Sequence, residues 1–293
     1  MRIEYSDVTM IMVISMLFEP IKPMLLHKSE DVPSGDYIHQ LKFDGHRALL
    51  HISADGFKVF SRHQMDCTQQ YSELSSIKIN ASSAVLDGEM IAFDESGKPC
   101  FELVMERFMA RGKQKQNMTP VHFAAFDVLY ADGRSVTNMP LYKRLDLLND
   151  LVAPSNVISV VPSFDDGKQL FSQVKAMGLE GIVSKKRESK YRIDSRSYDW
   201  LKVKNYLYET VSIAALKKGE FAWSLVKDGK YVGITEFVPP VARKAFLGVY
   251  KQLMIGEDRN WIFLNPKLSC RVKFQCWTRN GLMRSPSFLE FIL

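Results

Sequence analysis

The chain has 293 residues, of which 46% are hydrophobic and 25% are charged. This balance is typical of a globular protein with a full core and excludes a low-complexity or intrinsically disordered chain, while the length predicts two domains. The formal net charge of +6 suits a polyanionic partner without requiring one.

Two further features bear on the cellular compartment. The four cysteines are scattered and form no CxxC pair, so we expect neither a zinc site nor a disulfide framework, but a reducing cytoplasm. The apolar run over residues 10–18 is too short to span a bilayer, and the acidic Glu4 and Asp7 precede it. We therefore expect a cytoplasmic monomer without a membrane partner, and an N-terminal extension over residues 1–17.

Apolar periodicity predicts the elements of a first domain over residues 18–207. One helix should begin at Phe101 and end near Gly112, Pro140 should open a second, and Gly178 should end a third over residues 168–177. The expected strands are 37–41, 47–53, 57–62, 85–93, 121–130, 181–184 and 199–203.

Short β-rich runs dominate the remaining residues, 208–293. The expected strands are 210–216, 223–226, 231–237 and 270–277, and one helix is expected over 240–254. Several short strands with a single helix suit a small β-barrel of the OB-fold type. The fold class is therefore α+β, with antiparallel sheets and flanking helices followed by an OB-fold domain.

The most informative motif is the hexapeptide KFDGHR, residues 42–47, in which Lys42 ends one apolar run and Arg47 opens the next. A lysine amine is a good nucleophile only when it is deprotonated, and its ordinary pKa near 10.4 prevents this at neutral pH. A nearby phosphate, metal ion or second cation can activate it. Asp-Gly is also a common hairpin turn, so the motif by itself leaves both interpretations open.

Further blocks follow in a fixed order. They are VLDGEM (85–90), FAAFDVLY (123–130), EGIVSK (180–185) and WLKVK (200–204). Together with KFDGHR they resemble the motifs of covalent nucleotidyltransferases, the superfamily of DNA ligases, RNA ligases and mRNA capping enzymes. The resemblance runs from about Phe18 to the C-terminus. The closing segment GLMRSPSF (281–288) is similar to that of ATP-dependent ligase domains in bacterial end-joining and phage ligases.

The resemblance implies an adenylation domain followed by an OB-fold domain, and the sealing of nicked double-stranded DNA with ATP. In that family the lysine at the position of Lys42 attacks the α-phosphorus of ATP and carries AMP. Lys202 and Lys204 lie two residues apart on an expected strand and so project from one face. Their charge should lower the pKa of Lys42 by about three units, worth about 4 kcal/mol.

The remaining site residues also follow from the resemblance. Glu89 matches a carboxylate that contacts the ribose or the metal, Glu180 matches one that helps to hold Mg²⁺ or Mn²⁺, and Asp44 is a further candidate for this task. Phe126 should stack on adenine. Gln40 stands where glutamate is common and can accept from the adenine amino group. Residues expected to contact the nucleotide are Leu41, Gly45, Arg47, Arg62 and Lys185, and Arg192 and Arg196 are expected to contact DNA phosphates.

The chain departs from the family at its C-terminus. A basic tail that orients pyrophosphate usually follows the closing segment, whereas this sequence stops at Leu293. We expect Arg284, with Arg279, to contribute part of that function. Two alternatives stay open: an RNA ligase or capping enzyme, and a nick-binding protein with impaired sealing. The DNA-ligase-like closing segment argues against the first, and the missing tail is the feature that favours the second.

Overall fold

The structure is a computed structural model that describes residues 18–110 and 119–292. The expected extension over residues 1–17 and the expected helix end near Gly112 lie outside the described residues. The chain divides into two compact units, the first ending at Val203 and the second beginning at Lys204. The sequence places this boundary slightly later, after Leu207.

The first unit contains most of the helices and two sheets. Its strands are β1 (Leu25–Ser29), β2 (Tyr37–Lys42), β3 (His46–Ser53), β4 (Gly56–Ser61), β5 (Ser83–Ile91), β6 (His122–Ala131), β7 (Arg134–Ser135), β8 (Ile158–Val160), β9 (Ser163–Phe164), β10 (Gly181–Lys186) and β11 (Arg196–Lys204). Its helices are α1 (Phe101–Met109), α2 (Leu141–Leu151) and α3 (Gly167–Met177), with a 3₁₀ segment at Thr68–Ser76.

One sheet of five strands has the order β1-β11-β10-β2-β9, and a second sheet has the order β4-β3-β5-β6-β7 with β8 paired to β6. The pairings within both sheets are antiparallel at β2/β10, β3/β4, β3/β5 and β5/β6, and parallel at β1/β11 and β6/β8. The largest apolar core of this unit joins residues of both sheets with α1 and α2. The candidate site is built where strands of the two sheets contribute side chains to one pocket.

Local chemistry explains the two longer helices of this unit. Pro140 precedes α2, whose Leu141, Leu145 and Leu148 are all buried. The Asp166 side chain accepts from the backbone amide of Gln169 at the start of α3, which satisfies one of the free amides there. Gly178 ends α3 with a φ of 67°, the left-handed conformation that glycine adopts without strain. Both helix predictions are confirmed.

The second unit contains one helix, α4 (Pro240–Leu253), in its described residues. Its strands are β12 (Leu207–Lys217), β13 (Trp223–Lys227), β14 (Lys230–Ile234), β15 (Met254–Glu257), β16 (Trp261–Leu264), β17 (Ser269–Phe274) and β18 (Ser287–Ile292). These strands form a seven-stranded sheet in which β12 pairs with β13, β16 and β17, and β17 pairs with β18. Trp223, fully buried, packs edge to face on Phe288 and tilted on Phe246 at the centre of this unit's core.

The expected α+β class with antiparallel sheets and few helices is confirmed. The ladders among the described residues of the second unit do not close its sheet into a barrel. A single parallel bridge, Phe237 to Ser287, connects the segment after β14 with β18. No helix in the described ranges is long and apolar enough to cross a membrane.

The strands and helices expected within the described ranges are present, with ends that shift by a few residues. Several strands were not predicted from the sequence, among them β7, β8 and β9, which have two or three residues each. Strands this short carry no local periodicity and exist because a partner strand offers hydrogen bonds. The missed β1 contributes a residue to the candidate site.

Candidate active site

A pocket in the first unit encloses about 450 Å³ of space, counted to its open mouth. Its lining residues come from β1, β2, β3, β5, β6, β10, β11 and the turn after β2. They are Leu26, Gln40, Lys42, Phe43, Arg47, Glu89, Phe126, Val183, Lys185 and Trp200.

Strand β2 places Lys42 at this pocket. Gln40 and Lys42 alternate with Leu41, so their side chains project from one face of the sheet while Leu41 packs with Leu170 and Val174 of α3 on the other. Leu41 was expected to contact the nucleotide, but its side chain contributes to that apolar cluster. The Lys42 amine remains 20% exposed at its side chain.

Glu180 meets Lys42 because β10 begins opposite the end of β2. The Cα partner of Lys42 is Gly181, so the preceding Glu180 lies beside the amine. Lys42 Nζ donates to Glu180 Oε2 at 2.7 Å, and the Glu180 side chain is only 8% exposed. The expected nucleophile and one expected metal-binding carboxylate thus form a mostly buried ion pair.

Gly45 lets the KFDGHR turn approach β5. A Cβ at this position would lie 2.2 Å from the carbonyl oxygen of Met90 and 2.8 Å from Cγ of Glu89. Real carbon atoms do not approach a backbone oxygen so closely, so a side chain here would push the turn away from β5. Gly45 therefore acts through close approach, and Glu89 lies directly beneath the turn that follows Lys42.

The charge balance at Lys42 differs from the expected one. Burial by itself lowers the pKa of Lys42, but Glu180, Glu89 and Asp44 all raise it, and the net pKa lies above the ordinary lysine value. The expectation that neighbouring lysines hold this pKa down is therefore wrong for this structure. Three carboxylates surround the amine and outweigh its desolvation.

Glu89 is half-buried and lines the pocket. Burial and the neighbouring Glu180 and Asp87 raise its pKa to about 8, against the lowering effects of Lys42 and Arg47. Two carboxylates that face one amine leave a net negative charge, which a further cation would neutralise. No group of three or more His, Cys, Asp or Glu side chains in the described ranges forms a metal cage.

Arg47 forms the other wall of the pocket through a buried network. Its Nε and Nη2 donate to the two carboxylate oxygens of Asp87 at 3.0 and 2.6 Å. Tyr191 Oη donates to Asp87 Oδ2 at 2.7 Å and accepts from the Met24 amide at 3.1 Å. Asp87 and Tyr191 are 0% and 4% exposed. The guanidinium expected to contact ATP is thus held in place by an ion pair that the motif does not reveal.

Two cations lie over the expected base-stacking ring. Arg47 Cζ is 5.3 Å and Lys185 Nζ 4.6 Å from the centroid of Phe126. Lys185 Nζ also lies 4.2 Å from the Trp200 ring and donates to the Phe126 carbonyl oxygen at 3.0 Å. Burial lowers the pKa of Lys185 to about 7. The ring of Phe126 is half-buried and belongs both to the pocket and to the edge of the core.

Gln40 presents an acceptor to the pocket. Its Nε2 donates to the Val161 carbonyl at 3.3 Å and to Ser163 Oγ at 3.4 Å, while its Oε1 is buried without a hydrogen-bond partner. A buried oxygen without a donor costs about 1–3 kcal/mol unless a ligand satisfies it. The arrangement favours a ligand that brings an N–H group to this end of the pocket.

Other expected residues lie outside the lining of this pocket. Arg62 is exposed beyond the end of β4. Lys202 and Lys204 are half-buried at the end of β11, with the buried Val203 between them, and Lys202 pairs with Lys28 of β1. The exposed Arg192 forms an ion pair with Asp199 at 3.4 Å.

Two arginines remain. Arg196 is exposed and donates to the Leu26 carbonyl. Arg284 is half-buried in the second unit, next to the start of β18.

Six residues that shape the pocket were not among the site residues predicted from the sequence. They are Leu26, Phe43, Asp87, Val183, Tyr191 and Trp200. Phe43, Asp87, Val183 and Trp200 stand inside the quoted motifs, so their positions in those motifs were an available signal. Leu26 and Tyr191 carry no such signal.

Comparison with known proteins identifies related sequences. The model of the ATP dependent DNA ligase domain matches residues 16–204. The SPbeta prophage-derived DNA ligase-like protein LigB of Bacillus subtilis is 38% identical over 271 residues, which are 92% of this chain and 97% of that protein. The multifunctional non-homologous end joining DNA repair protein LigD of Mycobacterium tuberculosis is 30% identical over 300 residues, 92% of this chain but 38% of that protein.

Solved structures share the fold at lower sequence identity. A mycobacterial DNA ligase D complexed with ATP and MES has a TM-score of 0.56 at 24% identity and covers 93% of this chain and 95% of its own. A Lig E DNA ligase, described as binding DNA with a minimal scaffold, has a TM-score of 0.64 at 20% identity and covers 93% and 100%. At these sequence identities the two structures show a shared fold and carry no further argument about function.

Proposed function

The chain belongs to the ATP-dependent DNA ligase family, and from that premise we propose that it seals nicks in duplex DNA through AMP carried on Lys42. The observation that supports this assignment is the position of Lys42. Its side chain lines the pocket and its amine donates to Glu180, with Glu89 beneath the following turn. This pocket combines the lysine of the KxDG frame with lining residues from the VLDGEM, FAAFDVLY, EGIVSK and WLKVK blocks.

ATP is the donor that this pocket suits. The unpartnered Oε1 of Gln40 can accept from the 6-amino group of adenine, while Val161 and Ser163 hold the amide in that orientation. Guanine offers a carbonyl oxygen at the same position and would face the Gln40 oxygen without a hydrogen bond. Phe126 of β6, which lines the pocket, supplies the flat apolar surface for the base.

The reaction needs three displacements. The amine of Lys42 loses a proton and forms an N–P bond with the α-phosphorus, and pyrophosphate leaves with the electron pair of the broken P–O bond. The 5′-phosphate at the nick then takes AMP from Lys42. Finally the 3′-hydroxyl attacks the activated 5′-phosphorus and AMP leaves. Glu180 Oε2, which already accepts from Lys42 at 2.7 Å, is the group placed to receive the amine proton.

Glu89 and Glu180 fit Mg²⁺ or Mn²⁺. Mg²⁺ binds one or two carboxylates and completes its shell with phosphate oxygens and water, so a full protein cage is not needed. When bound, such an ion would offset the carboxylate charge and polarise the phosphate. Glu89 and Glu180 would hold it, and Arg47, fixed by Asp87, would contact the nucleotide beside Phe126.

We further assign residues 18–207 to adenylation and 208–293 to an OB-fold domain. Hydrogen bonds support the second assignment: the amides of Glu236 and Phe288 donate to the carbonyls of Pro286 and Phe237 at 2.8 and 3.0 Å. These bonds flank the Phe237–Ser287 bridge and bring the two ends of the sheet together. A small β-barrel of this type is a common nucleic-acid-binding domain.

Labelling with α-labelled ATP and Mg²⁺ tests the proposal. We expect a covalent AMP adduct that Lys42→Ala abolishes and that transfers to a nicked duplex but not to nicked RNA. Lys185→Ala is not a suitable control because Lys185 lines the pocket, so the exposed Lys98→Ala serves instead. Label retained by the Lys42 variant would refute the nucleophile, and an adduct without sealing would indicate a nick-binding protein.

Binding to nicked DNA should depend strongly on salt. If about six Lys and Arg side chains neutralise phosphates, affinity should fall about a thousandfold between about 50 and 200 mM salt. Binding that does not change with salt would contradict a DNA partner.

A further inference from the structure

Two tyrosines, one in β12 and one just ahead of it, lie beside two cations of β17 in the second unit. Lys273 Nζ lies 5.0 Å from the centroid of the Tyr206 ring, and Arg271 Cζ lies 5.6 Å from that of Tyr208. Tyr208 is 53% exposed. We call these four residues the tyrosine–cation ladder. The reaction proposed above uses none of them.

The pairing of β12 with β17 explains why the ladder forms. The Cα partner of Tyr208 is Lys273, and that of Thr210 is Arg271. Lys273 lies over the ring of Tyr206, two residues before its partner and just ahead of β12, and Arg271 lies over that of Tyr208, two residues before its own partner, so the two diagonal contacts repeat in the same direction. Residues between them, such as Val272, are buried on the opposite face, so the ladder lies on the outer surface.

Folding gives little reason for this arrangement. A cation–π contact at an exposed site stabilises a protein by only about 0.5–1 kcal/mol. The arrangement matches surfaces that bind single-stranded nucleic acid, in which aromatic rings stack on bases and neighbouring cations contact phosphates. Arg271 also has Glu290 at 3.8 Å, but both side chains are more than half exposed, so a phosphate can compete for the guanidinium.

The interval between the rings selects the form of DNA. Arg271 and Lys273, two residues apart on β17, are separated by about 6.6 Å, and each lies over one of the two rings. Stacked bases in a duplex rise by about 3.4 Å per nucleotide along each strand. Consecutive bases that stack on Tyr206 and Tyr208 must therefore separate from each other, and an unpaired, extended strand permits this whereas a duplex does not.

We propose that the tyrosine–cation ladder binds an unpaired stretch of DNA, with bases on Tyr206 and Tyr208 and phosphates on Arg271 and Lys273. This surface extends the substrate beyond a nick in continuous duplex to ends that carry single-stranded DNA. It does not depend on the Lys42 chemistry, so the two proposals can fail separately.

Fluorescence anisotropy of the full chain with a labelled oligothymidylate, without ATP, tests the ladder. Tyr208→Ala should weaken binding at least about fivefold, the lower limit for loss of one stacked base. Tyr208→Phe should retain binding because the ring, not the hydroxyl, carries the contact. Lys273→Ala should lower the salt dependence by about 0.7 per lost phosphate contact. Glu290→Gln should strengthen binding.

Tyr231→Ala is the matched control, since Tyr231 is a tyrosine of similar exposure on β14 of the same unit. An abasic strand of equal length and charge should bind wild-type protein at least as weakly as oligothymidylate binds the Tyr208→Ala variant, because it lacks the bases for both rings. Equal losses for Tyr208→Ala and Tyr231→Ala, or equal binding of the abasic and oligothymidylate strands, would overturn the proposal. A thermal unfolding transition that is retained in every variant shows that the protein is folded, whatever the chemistry at Lys42.

Discussion

Replacing Asp87 by asparagine removes the counter-ion of a buried arginine. Asp87 accepts two hydrogen bonds from Arg47 and one from Tyr191, and its side chain is 0% exposed. An asparagine amide keeps the shape but has one acceptor oxygen and no charge. In the Asp87→Asn variant the guanidinium of Arg47 therefore remains enclosed, with its side chain 12% exposed, and lacks its charge partner.

The expected cost is large because the pair is buried. Removing one partner of a buried ion pair destabilises a protein by about 3–5 kcal/mol. A typical domain is stabilised by about 5–15 kcal/mol in total. For a domain the size of the first unit, each kcal/mol lowers the melting temperature by about 2–4 °C, so its transition should fall by about 6–20 °C.

Scanning calorimetry of the full chain measures this transition. Asp194→Asn is the matched control, because its ion pair with Lys22 has an N–O distance of 2.9 Å but side chains 53% and 62% exposed. That change should cost less than about 1 kcal/mol. The double substitution Arg47→Met with Asp87→Leu should recover stability, since it removes both charges, but it should lower AMP labelling, since Arg47 is proposed to contact the nucleotide. Equal shifts for Asp87→Asn and Asp194→Asn would refute the argument.

Three further outcomes are expected. Burial lowers the pKa of Lys185 to about 7 from an ordinary 10.5. Between these pH values the folded protein therefore binds fewer protons than the unfolded chain. The free energy of unfolding should rise with pH in this range by up to about 1.4 kcal/mol per pH unit. Urea denaturation at neutral and alkaline pH should show that Lys185→Met removes this slope and that the exposed Lys186→Met keeps it. Gly45→Ala should reduce AMP labelling at least about tenfold, an effect of about 1.4 kcal/mol, because its Cβ would meet a backbone oxygen, whereas Gly248→Ala, with open space around it, should label normally. Arg284→Ala should raise the activation free energy for adenylylation of Lys42 by about 2–4 kcal/mol and leave sealing of a pre-adenylylated nick unchanged. Equal losses in both steps would assign Arg284 to DNA binding or folding.

Local patterns were sufficient to predict the elements that carry the nucleophile. Strand β2, which ends at Lys42, follows from its run of apolar residues. The β3–β4 hairpin follows from the alternation of apolar and polar residues and from the turn at Asp55-Gly56. The helices followed from apolar spacing and from Pro140 and Gly178 at their ends. These features depend on residues within a few positions of each other, so one sequence contains the information.

Contacts between distant segments were not predictable in this way. Asp87 and Tyr191 are separated by 104 positions, and their hydrogen bond exists only because β3, β5 and the segment before β11 meet in the folded unit. The motif VLDGEM includes Asp87 without indicating that it neutralises Arg47. The short β8 and β9, which join β6 and β2, likewise depend on partners that the local sequence does not specify.

The sequence predicts which residues surround Lys42 better than it predicts the protonation state of the Lys42 amine. Motif order located the groups around the amine, and the structure places Glu180, Glu89 and Asp44 among them. The pKa is a sum of opposing effects, burial that lowers it and carboxylates that raise it, and each varies with distances that spacing along the chain does not encode. The 2.7 Å contact from Lys42 to Glu180 reverses the expected direction. Because the same carboxylates are proposed to hold the divalent ion, the charge that binds the ion also holds the proton on the nucleophile, and the two equilibria must be coupled.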